Sequence, residues 1–91
     1  MFDWDREDGN SLHIREHGVE PGEAEQAYLD PHRLGSDAYN LGPERRSGWI
    51  GATDAGRVLF LITVRRGGQV RIVTARDASP TMKRRRLHRA R

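Results

Sequence analysis

The chain contains no cysteine. A disulfide framework and a thiolate metal site are therefore excluded, which fits a reducing, cytoplasmic setting. No apolar stretch approaches the roughly 20 residues of a membrane-spanning helix, and the opening Met1-Phe2-Asp3-Trp4 has none of the features of a signal peptide. No membrane partner is expected. A glycine-rich phosphate loop and a GxSxG nucleophile elbow are also missing, and no internal repeat is present. His13 and His17 have the i, i+4 spacing that can chelate zinc. Their motif is HIREH rather than HExxH, however, and no third ligand is evident, so neither metal nor cofactor is expected. Ninety-one residues suit a single domain, residues 1–91, with a modest core.

Charge is plentiful and unevenly placed. The formal net charge is only +3. Residues 1–31 nevertheless carry nine carboxylates against Arg6 and Arg15, whereas residues 32–91 carry fourteen Lys/Arg against Asp37, Glu44, Asp54 and Asp77. A basic C-terminal two-thirds favours a polyanionic partner, nucleic acid first. A set of solvated arginine faces is the plainer alternative.

The strongest structural signal lies between Arg57 and Arg76. Two β-branched apolar runs, Val58 to Val64 and Val70 to Ala75, flank Gly67-Gly68, the signature of a hairpin with a two-residue type I′ turn. Counting outward pairs Arg66 with Gln69, Arg65 with Val70, Thr63 with Ile72, Leu61 with Thr74 and Leu59 with Arg76. Cross-strand partners share a face. One face then holds Val58, Phe60, Ile62, Val64, Val73 and Ala75, with Arg71 near the rim, and is expected to be core. The other holds Leu59, Leu61 and Ile72 with Arg57, Thr63, Arg65, Thr74 and Arg76, and is expected to be a basic working surface.

Around the hairpin, Phe2-Asp3-Trp4 suggests a short edge strand. Helix one is expected over residues 11–17, with Asn10 as N-cap and Gly18 as C′ glycine. Helix two starts at Glu20-Pro21, buries Ala24, Ala27 and Tyr28, and ends at Asp30-Pro31. Residues 32–43 are spotted with Gly, Pro and Asn and have room for one short strand. A strand over residues 47–53 enters the Asp54-Ala55-Gly56 turn and places Trp49 on the basic face, where an indole either stacks on a base or is simply packed. Ser79-Pro80 opens a last helix. Residues 80–91 are expected to form a weakly docked basic helix or tail, because Met82 and Leu87 make a poor apolar stripe. Arginines stabilise a phosphorane but stay protonated, so a proton carrier is needed; His17, His32, Glu44 and His88 are the candidates.

Several stretches together resemble a known family. They are FDWD at 2–5, HIREHGVEPGEAEQA at 13–27, Asp30-Pro31, Glu44-Arg45-Arg46 leading into Ile50-Gly51, GRVLFLITV, and RIVTARDAS at 71–79. Over about residues 2–87 the chain resembles the BrnT toxins of type II toxin–antitoxin pairs. The resemblance implies an α+β, RelE-like fold: a short N-terminal strand, two helices, a three- to four-stranded antiparallel sheet and a C-terminal basic helix. It also implies a metal-independent endoribonuclease in which the RNA 2′-OH attacks the adjacent phosphate, inhibiting translation. Its partner would be a BrnA-like ribbon-helix-helix antitoxin, bound as a hetero-oligomer. The catalytic candidates are Arg57, Arg65, Arg76, Glu44 and His17; the RNA-binding candidates are Trp49, Arg46, Arg71, Lys83 and Arg84. Members of the family usually carry a Glu and then a Tyr in the last helix, places held here by Met82 and, approximately, Arg86. The alternative is therefore a non-catalytic RNA- or ribosome-binding module of the same fold.

Overall fold

A computed structural model describes residues 1–5, 9–37 and 45–89. Among them are three helices, α1 (Gly9–Glu16), α2 (Pro21–Leu29) and α3 (Pro80–Arg89), and four strands, β1 (Leu34–Ser36), β2 (Ser47–Ala52), β3 (Val58–Arg66) and β4 (Gln69–Asp77). The strands form one antiparallel sheet in the order β1-β2-β3-β4. The fold is α+β, as expected.

Local signals act where the sequence places them. Gly67 and Gly68 both have positive φ, 55° and 80°, as a type I′ turn demands. Gly18, at φ 75°, ends α1, and the Val19 N–H reaches back to the Ile14 carbonyl over 3.0 Å. Pro21 opens α2, while the Glu23 carboxylate accepts the Glu20 backbone N–H at 3.1 Å. Ser79 caps α3, its Oγ accepting the Met82 N–H at 3.2 Å. Phe2 pairs in parallel with Val70, so the N-terminal segment extends the sheet beyond β4. One cap differs. Asn10 lies inside α1 and is buried, its amide accepting from the Asp5 N–H and donating to the Asp3 and Ile72 carbonyls. Asp5 takes the capping part, its Oδ2 accepting the Asn10 N–H.

The expected faces are overturned. The predicted register holds from the turn to Thr63↔Ile72, and then Ile62 pairs with Thr74, leaving Val73 as the extra residue of a β-bulge. One inserted residue reverses parity for the rest of β4. Ala75 therefore joins Leu61, and Arg76 joins Phe60, with its guanidinium carbon 5.3 Å from the Phe60 ring centroid. The face expected to be a basic surface is instead the main core. Leu59, Leu61, Ile72 and Ala75 are fully buried beneath Ile14, Val19, Ala24, Ala27 and Tyr28 of the N-terminal helical region. The face expected to be the core is covered more lightly, by Met82 and Ala78 against Ile50 and Phe60. Because β3 is apolar on both sides, its own pattern could not say which side α1 and α2 would cover.

α3 has an anchor that its apolar content does not reveal. Arg86 binds Asp30 bidentately, Nε to Oδ2 at 2.5 Å and Nη2 to Oδ1 at 3.0 Å. Only 11% of the Arg86 side chain and 4% of the Asp30 side chain remain exposed. Asp30 also accepts backbone N–H bonds from His32 (2.9 Å) and Ala52 (2.8 Å). The pair thus ties the end of α2 to β2 and to α3.

Four carboxylates ionise more readily than usual. The Arg71 guanidinium, with the Asn10 N–H, lowers the Asp5 pKa. Arg57 does the same for Asp77. The Glu20 backbone N–H, with Arg57, lowers Glu23. Burial pushes Asp30 up, but Arg86 and the Ala52 and His32 N–H groups outweigh it and the net direction is down. Since folded values lie below unfolded ones, this stability is complete above the ordinary carboxylate values of 3.8 and 4.5 and is lost as pH falls through the lowered values. Urea midpoints followed by circular dichroism should be nearly level between about pH 5 and 7 as far as these carboxylates go, then drop steeply below about pH 4.

Candidate nucleic-acid interface

α2 crosses the sheet at Gly51, where a Cβ would overlap the Ala27 carbonyl oxygen. Beyond the end of α2 the same sheet face opens into a cleft of about 610 Å³. Tyr28 enters it from the last turn of α2, and Arg33 from the turn that follows. Arg45 comes from just before β2, Ser47 and Trp49 from its start, and Thr63, Val64 and Arg65 from the end of β3. The pairs Ser47↔Thr63 and Trp49↔Leu61 bring the two strands into register there.

Aromatic rings shape the cleft. Tyr28 and Trp49 meet edge to face with centroids 6.0 Å apart, and the Arg33 guanidinium lies over both, 4.9 Å from the Tyr28 centroid and 4.8 Å from that of Trp49. The Trp49 indole N–H donates to Thr63 Oγ1 at 3.3 Å, which fixes the ring. Arg33 is held at its backbone N–H by the Asp30 carbonyl, but its side-chain Nε is buried without a hydrogen-bond partner among the described residues. Arg33, Arg45 and Arg65 thus line one cleft with Tyr28, Trp49, Ser47 and Thr63, and no carboxylate or imidazole is among the described lining residues. Such a set can bind phosphate bidentately and support a base by stacking.

Of the site residues singled out from the sequence that are among the described residues, the structure brings Arg65 and Trp49 into this cleft. Arg57 stands at the other end of β3, about 27 Å from Arg65 at ~3.4 Å per residue. It donates to Asp77 (2.8 Å), the Gly18 carbonyl (2.9 Å) and Glu23 (3.1 Å), joining the ends of α1, α2 and β4. Arg71 is paired with Asp5 at 2.6 Å and also faces Asp3. Arg76 lies on the opposite face, over Phe60. Lys83 and Arg84 belong to the first turns of α3, where Arg84 donates to Thr81. His17 sits just past α1, its ring edge to face with His13 at 5.0 Å, and His13 is 3.1 Å from Thr74 Oγ1. Arg46 is half-buried, with a partner of its own. Glu44 lies outside the described residues. No three His, Cys, Asp or Glu side chains cluster among the described residues, and no helix among them is long and apolar enough to cross a membrane.

Sequence reasoning missed Arg33 and Arg45 and read Tyr28 only as core. The available signal was weak: a cation two residues after the Asp30-Pro31 stop, and another beside the entry to β2. What brings them together is the turn after α2, which no local pattern specifies.

A family model described as "Ribonuclease toxin, BrnT, of type II toxin-antitoxin system" matches residues 2–81, which include every residue lining the cleft. No curated protein matches the chain.

Proposed function

Because the chain belongs to the BrnT family of ribonuclease toxins of type II toxin–antitoxin systems, we propose that it cleaves RNA in the cleft beside α2 and thereby inhibits translation. The observation that carries this is that Arg33, Arg45 and Arg65 line one cleft with Tyr28 and Trp49, Arg33 lying over both rings. The proposed route is metal-independent. The RNA 2′-oxygen attacks the adjacent phosphorus, the P–O2′ bond forms and the P–O5′ bond breaks, leaving a 2′,3′-cyclic phosphate and a 5′-OH end. Water takes the proton of the 2′-OH and gives one to the leaving 5′-oxygen, since no described lining residue carries an imidazole or carboxylate. The guanidinium groups meet the charge that grows on the non-bridging oxygens, and stacking on the aromatic corner holds a neighbouring base. In the cytoplasm the protein would be restrained by an antitoxin, for which we propose a BrnA-like protein with a ribbon-helix-helix domain bound as a hetero-oligomer.

A second reading, RNA or ribosome binding without cleavage, is favoured by the absence of a carboxylate or imidazole from the described lining. One experiment separates the two. Inducing the chain in cells without an antitoxin and mapping new 5′-OH ends should yield ends that fall roughly 100-fold with Arg65→Ala, the scale of losing one transition-state donor. Retained RNA binding with no new ends would select the second reading. Equal cleavage by parent and variant would remove Arg65 from the site.

Charge reversal tests the cleft itself. Arg65→Glu should weaken RNA binding and lower the magnitude of its salt slope by about one, the loss of one phosphate contact. Arg76→Glu, on the far face, should change the slope much less. Matching losses in filter-binding titrations would mean that RNA wraps both faces.

A further inference from the structure

We infer that Arg86 is a positioning residue for the cleft, acting through Asp30 on Arg33; the inference rests on the cleft being the RNA seat. Arg86 does not line the cleft, and its helix packs on the other face. Met82 of α3 joins the cluster of Ile50, Phe60 and Ala78, whereas Tyr28 and Trp49 belong to the core on the opposite side. Arg86 also lies beyond the residues that match the family model.

The connection is a short run of hydrogen bonds. Arg86 occupies both oxygens of the Asp30 carboxylate, Oδ1 also accepts the His32 N–H, and Oδ2 also accepts the Ala52 N–H. These four bonds hold the turn after α2 against β2. The Asp30 carbonyl in turn accepts the Arg33 backbone N–H at 3.1 Å and faces Arg33 Nη1 at 3.5 Å. The Arg33 guanidinium has little else to fix it. Its Nε has no partner among the described residues, and its place over Tyr28 and Trp49 depends on where the turn delivers it. Cation–ring attraction alone is soft in direction, so the turn sets the geometry. Removing the bidentate grip of Arg86 frees the carboxylate to rotate and lets the turn, and Arg33 with it, drift from the aromatic corner.

The test uses the full chain and a short single-stranded RNA made uncleavable by 2′-O-methyl groups. Arg86→Gln should weaken binding about tenfold in the parent background and cause no further loss in an Arg33→Ala background, because the two substitutions remove one and the same placement. Arg86→Lys, which keeps the charge without the fork, should lie between. In the NMR spectrum of folded Arg86→Gln, the Trp49 indole N–H and Arg33 Nε–H resonances should shift, while the Trp4 indole N–H, bonded to Glu25 at 2.7 Å, stays in place. Unmoved Trp49 and Arg33 resonances would overturn the inference. So would an equal loss of affinity in both backgrounds, which would mark Arg86 as a direct RNA contact or a merely structural one. If Arg33→Ala binds RNA like the parent, the reading of the cleft fails, and the resonances still decide whether Arg86 positions Arg33.

Discussion

Replacing Asp30 with alanine should lower the unfolding free energy by about 3–5 kcal/mol, the cost of removing one partner from a buried ion pair. Asp30 is nine-tenths buried and its carboxylate answers four donors: two from Arg86 and the N–H groups of His32 and Ala52. Truncation leaves the Arg86 guanidinium without its counter-charge and two backbone N–H groups without an acceptor, so desolvation already incurred is no longer offset. For a domain of this size the melting temperature should fall by roughly 15–30 °C. Asp30→Asn, which keeps an oxygen acceptor and the shape, should cost less. A thermal melt of Asp30→Ala within a few degrees of the parent would show that the buried pair contributes little. The same comparison bears on α3. Its first turns contribute mainly Met82 to the apolar cluster, and Arg86 supplies the polar anchor. Amide exchange should accordingly find residues 83–87 protected in the free chain, and Asp30→Ala should abolish that protection.

Gly51→Val should be comparably severe through pure sterics. Any Cβ at this position would overlap the Ala27 carbonyl oxygen, a backbone atom of α2 that cannot swing aside as a flexible side chain would. The helix must lift from β2, opening the seam where Ala24 and Ala27 are fully buried. Overpacking of this kind costs about 1–3 kcal/mol, and more where backbone must move. Gly22→Ala is the control: nothing stands within 4 Å of its Cβ, and alanine in a helix gains roughly 0.5–1 kcal/mol over glycine. Urea denaturation of both variants should therefore give opposite signs. A neutral Gly51→Val would mean that α2 does not sit on the sheet at this distance. Because Tyr28 is in the last turn of α2, lifting the helix should also weaken RNA binding in any Gly51→Val that remains folded.

The sequence by itself determined the elements and most of their ends. A type I′ turn at Gly67-Gly68, a left-handed glycine after α1, a proline at the start of α2 and a serine cap before α3 each depend on the backbone preferences of two or three neighbouring residues, and such preferences act wherever those residues stand. The register of the β3–β4 hairpin was legible for the same reason as far as Thr63↔Ile72, and so was the placement of Trp49 with Thr63 and Arg65 on one face. Tertiary structure decided the rest. The bulge at Val73 sent Arg76 to the far side, and nothing in the run RIVTA marks which residue will be extra. Both faces of β3 could serve as core, so the choice fell to whichever face α1 and α2 could cover with Ile14, Val19 and Tyr28. Arginines are alike in sequence. Their roles follow from neighbours far along the chain: Arg57 beside Glu23 and Asp77, Arg71 beside Asp5, Arg86 on Asp30, and Arg33 over two rings. A charged side chain takes its role from the field and hydrogen-bond partners around it, and those exist only once distant segments have packed.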